Sequence, residues 1–416
     1  MRDLLKSNGI IAIIAIIALT LIFTACDPDD DPNGTDDPVT TVYVAGDYRS
    51  DNTTVACYWV DGTRIDLDTF NESYSFSNTR IFVQDSNVYV MGRYNFHPFN
   101  QNFYYWVNGT RTNMQLTVPA EAVPRYGVNF FVHNNNVYAF GSYSYYDDSS
   151  DNYYWIACYW VNGVKTNLAV PAGTEFSQTI NMFVQGNNVY VVGYYRDDSK
   201  DIYCYWVNGI NRTYITFPAN TKWHNVRDIF VQGSNVYVIG SYTDSNDKSI
   251  ACYWVNGVRT DLTISSVDRI LVQDNNIYVR GQYRDNNNVI VYCYLVNGTR
   301  IDLEIPAGGT WAQISNFFIQ DGNVYLAGTY YYEQPDSSVC YWVNGIRTDM
   351  EVPAGVSQSE GGFNIFVQGS NVYVAGSYTD SNDKSIACYW VNGVRTDLTV
   401  PIGHNSSAGD IFVVTK

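Results

Sequence analysis

The sequence predicts an all-β chain folded as an eight-bladed β-propeller, closed by a C-terminal strand that completes the first blade. Three observations carry this expectation. The segment GSYTDSNDKSIACYWVNGVRTDLT occurs twice, letter for letter, at Gly240 to Thr263 and Gly376 to Thr399, so the chain contains a duplicated module. Looser copies fill nearly everything after residue 40, and a core of the YWVNG type centres on Trp59, Trp106, Trp160, Trp206, Trp254, Leu295, Trp342 and Trp390, at spacings of 41 to 54 residues. Each copy reads as four strands, and all-β modules of that length are propeller blades.

Residues 1–25 read as an export signal. Arg2 and Lys6 open it, an apolar run from Ile10 to Phe23 follows, and FTAC ends it at Cys26. The run is short for a membrane span, which needs roughly 20 apolar residues. Ala25 directly before Cys26 resembles the lipobox of bacterial lipoproteins, with Phe23 standing where that family usually has Leu. The resemblance implies that Cys26 is lipidated and becomes the new N-terminus. Residues 26–40 include DPDDDPNGTDDP, which is acidic, proline-punctuated and without apolar periodicity, so they read as a solvated, disordered tether. Residues 41–416 form the expected propeller.

Within a module, IFVQ and VYVAGSY (Ile365 to Gln368, Val372 to Tyr378) are β-branched and aromatic runs separated by the turn GSN, giving a first hairpin. IACYWV, Ile386 to Val391, then meets Asn392-Gly393 and VRTDLTV, and Asn-Gly between strand-like runs is a strong hairpin signal. Seven modules carry Asn-Gly here, and the first has Asp61-Gly62. In the third strand Cys388 and Trp390 point to one face, Tyr389 and Val391 to the other. Both faces are apolar, so both must be covered, as radial stacking of blades does. The described run of markers enters at a second strand, Val42, and ends on a spare first strand, Ile411 to Val414, which can complete the first blade.

The pattern resembles kelch propellers, with VYVAGSY and YWVNGVRTDL in comparable places over residues 41–416. It departs from them in lacking the Gly doublet and in placing the Trp before the turn. The resemblance implies propeller topology and nothing about activity.

Seven cysteines follow Cys26: Cys57, Cys158, Cys204, Cys252, Cys293, Cys340 and Cys388. An odd set at one equivalent position per module reads as a small packing residue, not as a disulfide framework. The formal net charge of −17 repels phosphate backbones, so nucleic acid is not an expected partner.

A cation recurs in every fourth strand (Arg64, Arg111, Lys165, Arg212, Arg259, Arg300, Arg347, Arg395), often with Asp two residues on, and reads as charge guarding an exposed edge. Asp-rich loops such as Asp244 to Asp247 raise calcium weakly, because alternation of oxygen ligands reaches Lys248; no cofactor is otherwise expected. The four His (His97, His133, His224, His404) have no metal-ligand spacing, and no nucleophile or phosphate-loop motif is present. Catalysis is therefore not the expected activity.

The loops between second and third strands and between blades emerge on one face, and the tight turns on the other. The variable face carries the non-repeating aromatics, and Tyr143, Tyr145, Tyr146, Trp155, Trp223, Trp311, Tyr330, Tyr331 and Tyr332 are the candidate ligand-binding residues. The reading is a lipid-anchored protein of the bacterial cell envelope, periplasmic or surface-facing, that binds a glycan or protein ligand or acts as a scaffold. The alternatives are a hydrolase or lyase with an axial pocket, and a purely structural envelope protein.

Overall fold

In the computed structural model eight four-stranded antiparallel sheets stand in a ring. It describes residues 39–416 apart from 51–52, 69–74, 98–99, 114–121, 333–336 and 354–362. The expected signal peptide, Cys26 and almost all of the tether lie outside the described residues. Seven blades are made of four consecutive strands, as in the fifth (Trp223–Gln232, Asn235–Thr243, Ser249–Val255, Val258–Asp261). The first blade pairs Thr40–Ser50, Thr53–Val60 and Thr63–Asp66 with the last strand of the chain, Ser406–Thr415, as its innermost strand. This is the expected closure, and no helix occurs among the described residues.

The Asn-Gly turns explain themselves. Asn392 and Gly393 have φ of 51° and 88°, the left-handed pair that a two-residue hairpin needs. The Asn side chain does more, since Asn392 Oδ1 accepts the N–H of Val372 at 2.9 Å and Nδ2 donates to Asn371 Oδ1 at 2.8 Å. The same bracket ties the turn to the second strand in every blade. In the first blade Asp61, which lacks the amide donor, stands opposite Thr41, which replaces the Asn.

Pairing register then sorts the core. Val44, Trp59 and Arg64 align across three strands of the first blade, as do Gly46, Cys57 and Asp66. That face packs on the preceding blade, and the Ala45, Ala56 and Tyr58 face packs on the second. The seven described cysteines are buried and free, as expected of packing residues. The glycine of the second strand is forced by a bulge in the inner strand at Gly46, Gly193, Gly240, Gly281 and Gly328, where a Cβ on Gly240 would lie 2.1 Å from the Asn225 carbonyl oxygen; at Gly376 the Phe363 ring takes that space.

Between blades, the indole Nε1 donates to a carbonyl just past the outer strand of the preceding blade, as Trp254 does to Thr216 at 3.0 Å and Trp390 to Glu351 at 2.7 Å. The Gln ending IFVQ reaches the next blade's turn, with Gln185 donating to and accepting from Gly233. Each wedge is therefore apolar at its centre and hydrogen-bonded at its rims.

Candidate functional site

Strand order puts the tight turns on one face and the variable loops on the other. Among the described residues three blades raise exposed aromatics on that variable face. In the third, the hairpin of Asn136–Asp147 and Asn152–Val161 pairs out to Asp147 and Asn152, whereas the fifth blade stops at Thr243 and Ser249, three pairs nearer the core. Tyr146 and Tyr153 lie at its tip, 40% and 61% exposed, with ring centroids 4.9 Å apart and the Tyr146 hydroxyl donating to Asp151. Tyr145 stacks on Tyr154 just below. In the fifth blade Trp223 is 53% exposed at the head of the inner strand. In the seventh, Trp311 is 39% exposed and stacks on Tyr331 at 4.1 Å and 9°.

The other candidates serve the blades. Tyr143 and Tyr330 are buried. They occupy the position of Tyr48, Tyr242 and Tyr378, which lie two residues past the bulge glycine. There the phenol crosses over the small Cys and meets the outer strand: Tyr242 donates to Asp261 at 3.0 Å, Arg259 covers its ring at 5.4 Å, and Arg259 pairs with Asp261 at 2.9 Å. Tyr143 lies under Lys165, and Tyr330 under Arg347 with a bond to Asp349. The recurrent outer-strand cation and Asp, expected as edge charges, are thus a clasp across the blade. Trp155 is half-buried against Phe176, which leads on to Tyr194 and Tyr203. Tyr332 packs edge-on to Tyr330. The structure therefore leaves Tyr146, Trp223 and Trp311 exposed, separates them onto blades three, five and seven, and adds Tyr153, which sequence reasoning passed over inside DNYYW.

The acidic loops are self-contained. Asp244 Oδ1 accepts the N–H groups of Asn246 and Lys248, and Asp380 caps Asn382 and Lys384 the same way, which holds its carboxyl below the usual range. Among the described residues no group of three or more His, Cys, Asp or Glu is placed to hold a metal ion.

A ring of polar residues on the inner strands was not anticipated. The residue before each IFVQ run is Asp410, Arg80, Asn129, Asn181, Asp228, Arg269, Asn316 and Asn364 in blade order, a pattern that repeats after four blades. Asn181 and Asn316 each accept their own following N–H and donate onward: Asn181 caps Met182 and donates to Asp228, and Asn316 caps Phe317 and donates to Asn364. An Arg has no acceptor, and there the Asp of the preceding blade supplies it. Asp228 takes the N–H of Ile229 at 2.9 Å and that of Ile270, next to Arg269, at 3.0 Å; Asp410 takes Ile411 and Ile81, next to Arg80, both at 3.0 Å. Burial pushes both carboxyls up, opposed by the neighbouring Arg and by these N–H bonds. The two Asp lie four blades apart, on opposite sides of the ring, with their oxygens already engaged.

His224, wedged against Phe217 and Tyr203, is pushed down by burial. His133 takes the place of the terminal Gln beside the turn at Gly186 and is likewise lowered by burial. No two described His side chains converge with the ring carboxylates.

No known family model matches the chain, and no curated protein matches it in sequence. Solved structures match in shape alone. The β-propeller domain of the Trilobed protease from Pyrococcus furiosus is 12% identical, with 80% of this chain and 99% of that one covered and a TM-score of 0.43. A puromycin hydrolase is 9% identical over 84% of this chain and 56% of its own, at 0.46. The polysaccharide lyase Uly1 is 12% identical over 72% and 87%, at 0.42. At these identities and scores the likenesses carry no functional argument.

Proposed function

We propose that this protein is a glycan-binding module of the bacterial cell envelope, exported, anchored through a lipid on Cys26, and presenting the variable face of its propeller to the ligand. The observation that carries the reading is the distribution of exposed aromatic side chains. Of the five among the described residues, Tyr146, Tyr153, Trp223 and Trp311 stand on the variable face and only Tyr214 lies on an outer strand. Aromatic faces stack on the C–H faces of sugars, and the hydroxyl or indole N–H serves the polar rim. The regular turn face, with its repeated Asn brackets, offers no such departure from the repeat.

A hydrolase or lyase reading has less support, since the ring carboxylates Asp228 and Asp410 are spent on backbone N–H groups half a ring apart. The kelch-like spacing of the repeats is compatible with either. The binding reading is tested on a glycan array with the full chain and with Tyr146, Tyr153, Trp223 and Trp311 all changed to Ala. Signals lost in the variant support it; an array on which the two proteins behave alike sinks it. Anchoring is tested separately by Cys26→Ser, which is expected to move the protein from the membrane to the soluble fraction.

A further inference from the structure

Trp223 and Trp311 occupy the same place in their blades. Trp223 is opposite Thr243, three residues past Gly240, and Trp311 is opposite Tyr331, three residues past Gly328. Both therefore stand at the upper end of an innermost strand, on the rim of the central channel, a quarter turn of the ring apart. The sixth blade lies between them, and its rim is lower. Its inner strand begins at Ser266, opposite Gln282, one residue past Gly281, whereas pairing reaches three residues past the glycine in the fifth blade and four in the seventh. At about 3.4 Å per residue, that step is about 7 to 10 Å deep. The connections agree: four residues (262–265) lead into the sixth blade, against eight (215–222) into the fifth and six (303–308) into the seventh.

From this geometry, and resting on the glycan-binding reading above, we propose that the dip over the sixth blade is the binding cleft and that its occupant is a neutral polysaccharide chain, entering across the rim between Trp223 and Trp311. Its walls are the two indoles. Trp311 is held in place by the parallel Tyr331 ring, whose hydroxyl is bonded to Gln313 at 3.2 Å, so the platform is ordered before a ligand arrives. Beside Trp223, Lys222 pairs with Asp247 at 2.7 Å and fixes the neighbouring loop. The floor, at the head of the inner strand, is polar, with the Ser265 hydroxyl donating to the Gln282 carbonyl at 3.0 Å, and behind it stands the loop in which Arg284 donates to the Asn288 carbonyl and Asp285 caps Asn287 and Val289.

Two aromatic platforms separated by a polar floor suit successive sugar units of one chain. A protein partner would need a contiguous apolar centre, which the floor interrupts. Charge decides the class of sugar. The loop acids Asp244, Asp247, Asp285, Asp380 and Asp383 are nearly matched by Lys222, Lys248, Arg284 and Lys384, so the repulsion of uronic or sulfated polymers comes from the molecule's net charge of −17.

The test is affinity electrophoresis of the full chain through native gels containing galactomannan, xyloglucan, dextran or a β-1,3-glucan, with alginate as the anionic comparison. Retardation by at least one neutral polymer is expected, weakened about tenfold by Trp223→Ala or by Trp311→Ala and unchanged by Tyr214→Ala, whose exposed ring lies on an outer strand away from this face. Both Trp are exposed, and an unchanged thermal midpoint verifies that the variants fold. Retardation that depends on Tyr146 and Tyr153 but on neither Trp overturns the cleft while leaving the glycan reading of the face intact. Failure of every polymer to retard the protein overturns both, and retardation by alginate as strong as by the neutral polymers overturns the class of ligand.

Discussion

The indole Nε1 of Trp59 donates to the carbonyl oxygen of Thr399 at 2.9 Å, joining residues 340 positions apart. It is the same bond that every described Trp donor makes to the blade before it, here made by the first blade to the eighth. Thr399 returns the contact through its hydroxyl, which donates to Gly62 at 3.1 Å. The seam of the ring is thus chemically an ordinary blade junction. The sixth blade departs from this pattern, because Leu295 has no donor; the Asp228 contact with Ile270 beside Arg269 crosses that junction, as Asp410 crosses to Ile81 where Trp106 keeps its bond.

Trp59→Phe keeps most of the buried ring and removes only the donor, leaving the Thr399 carbonyl unpaired. Loss of such a partly buried hydrogen bond costs about 0.5 to 1.5 kcal/mol. The urea midpoint of the Trp59→Phe protein is therefore expected to fall, and to fall about as far as that of Trp206→Phe, whose donor reaches Ala169 at 2.7 Å. A much larger loss at Trp59 would mean that the seam is weaker than the other junctions.

Gly240→Ala is expected to destabilise the fifth blade strongly. The added Cβ would meet the Asn225 carbonyl at 2.1 Å, and backbone on a paired bulge cannot move aside as a side chain can. Overpacking of this kind costs about 1 to 3 kcal/mol or more. Gly233→Ala supplies the contrast: its φ is +60° and nothing lies within 4 Å, so only the left-handed conformation is penalised, at about 1 to 2 kcal/mol. Thermal denaturation of both variants separates the two mechanisms, and equal losses would count against the bulge argument.

Stability is expected to fall steeply in alkali. Burial first, with a nearby Asp adding to it, raises the Tyr242 and Tyr378 phenols from 10.0 to about 12, and burial pushes the Cys252 and Cys293 thiols up to about 12. In the unfolded chain these groups lose their protons near pH 10 and pH 9, while the folded chain holds them to about pH 12. The unfolded state therefore sheds protons first, so the stabilisation is intact below about pH 9 and is lost between there and pH 12. Urea midpoints across that range, read with tyrosinate absorbance, check it. Phenols that titrate fully at their ordinary value in a protein that stays folded would contradict the burial argument.

The repeat markers made the blades legible because each marks a local feature: the Asn-Gly turn, the two-faced third strand, the small Cys. What escaped the sequence depends on register. Tyr143 and Tyr330 read as loose loop aromatics, yet pairing places each over a Cys and beside an outer-strand cation. The cation and the Asp two residues later were visible, but their shared partner sits on a strand two places away in the sheet. Tyr146, Trp223 and Trp311 were picked out because they break the repeat, and that same break leaves them uncovered. The polar ring was hidden for a different reason. Asp, Arg and Asn before IFVQ look like variation until each is set beside its neighbour around the circle.

That ring yields a prediction that a single substitution would mislead. Asp228→Asn is isosteric, and Asn is the natural residue at three other described places in the ring, Asn181, Asn316 and Asn364. It should still be harmful. Asn has one acceptor where Asp228 uses two, so either Ile229 or Ile270 is left with an unpaired buried N–H, at a cost of about 1 to 3 kcal/mol. Arg269→Asn alone gives Ile270 a second acceptor it does not need and removes the cation that offsets a buried carboxylate. In the double variant each Asn caps its own N–H and the first can donate to the second, as Asn316 does to Asn364. The double variant is therefore expected to be more stable than the sum of the single losses, by about 1 kcal/mol or more, in a double-mutant cycle measured by urea unfolding. Strict additivity would show that the Asp of one blade does not stand in for the acceptor missing from the Arg of the next.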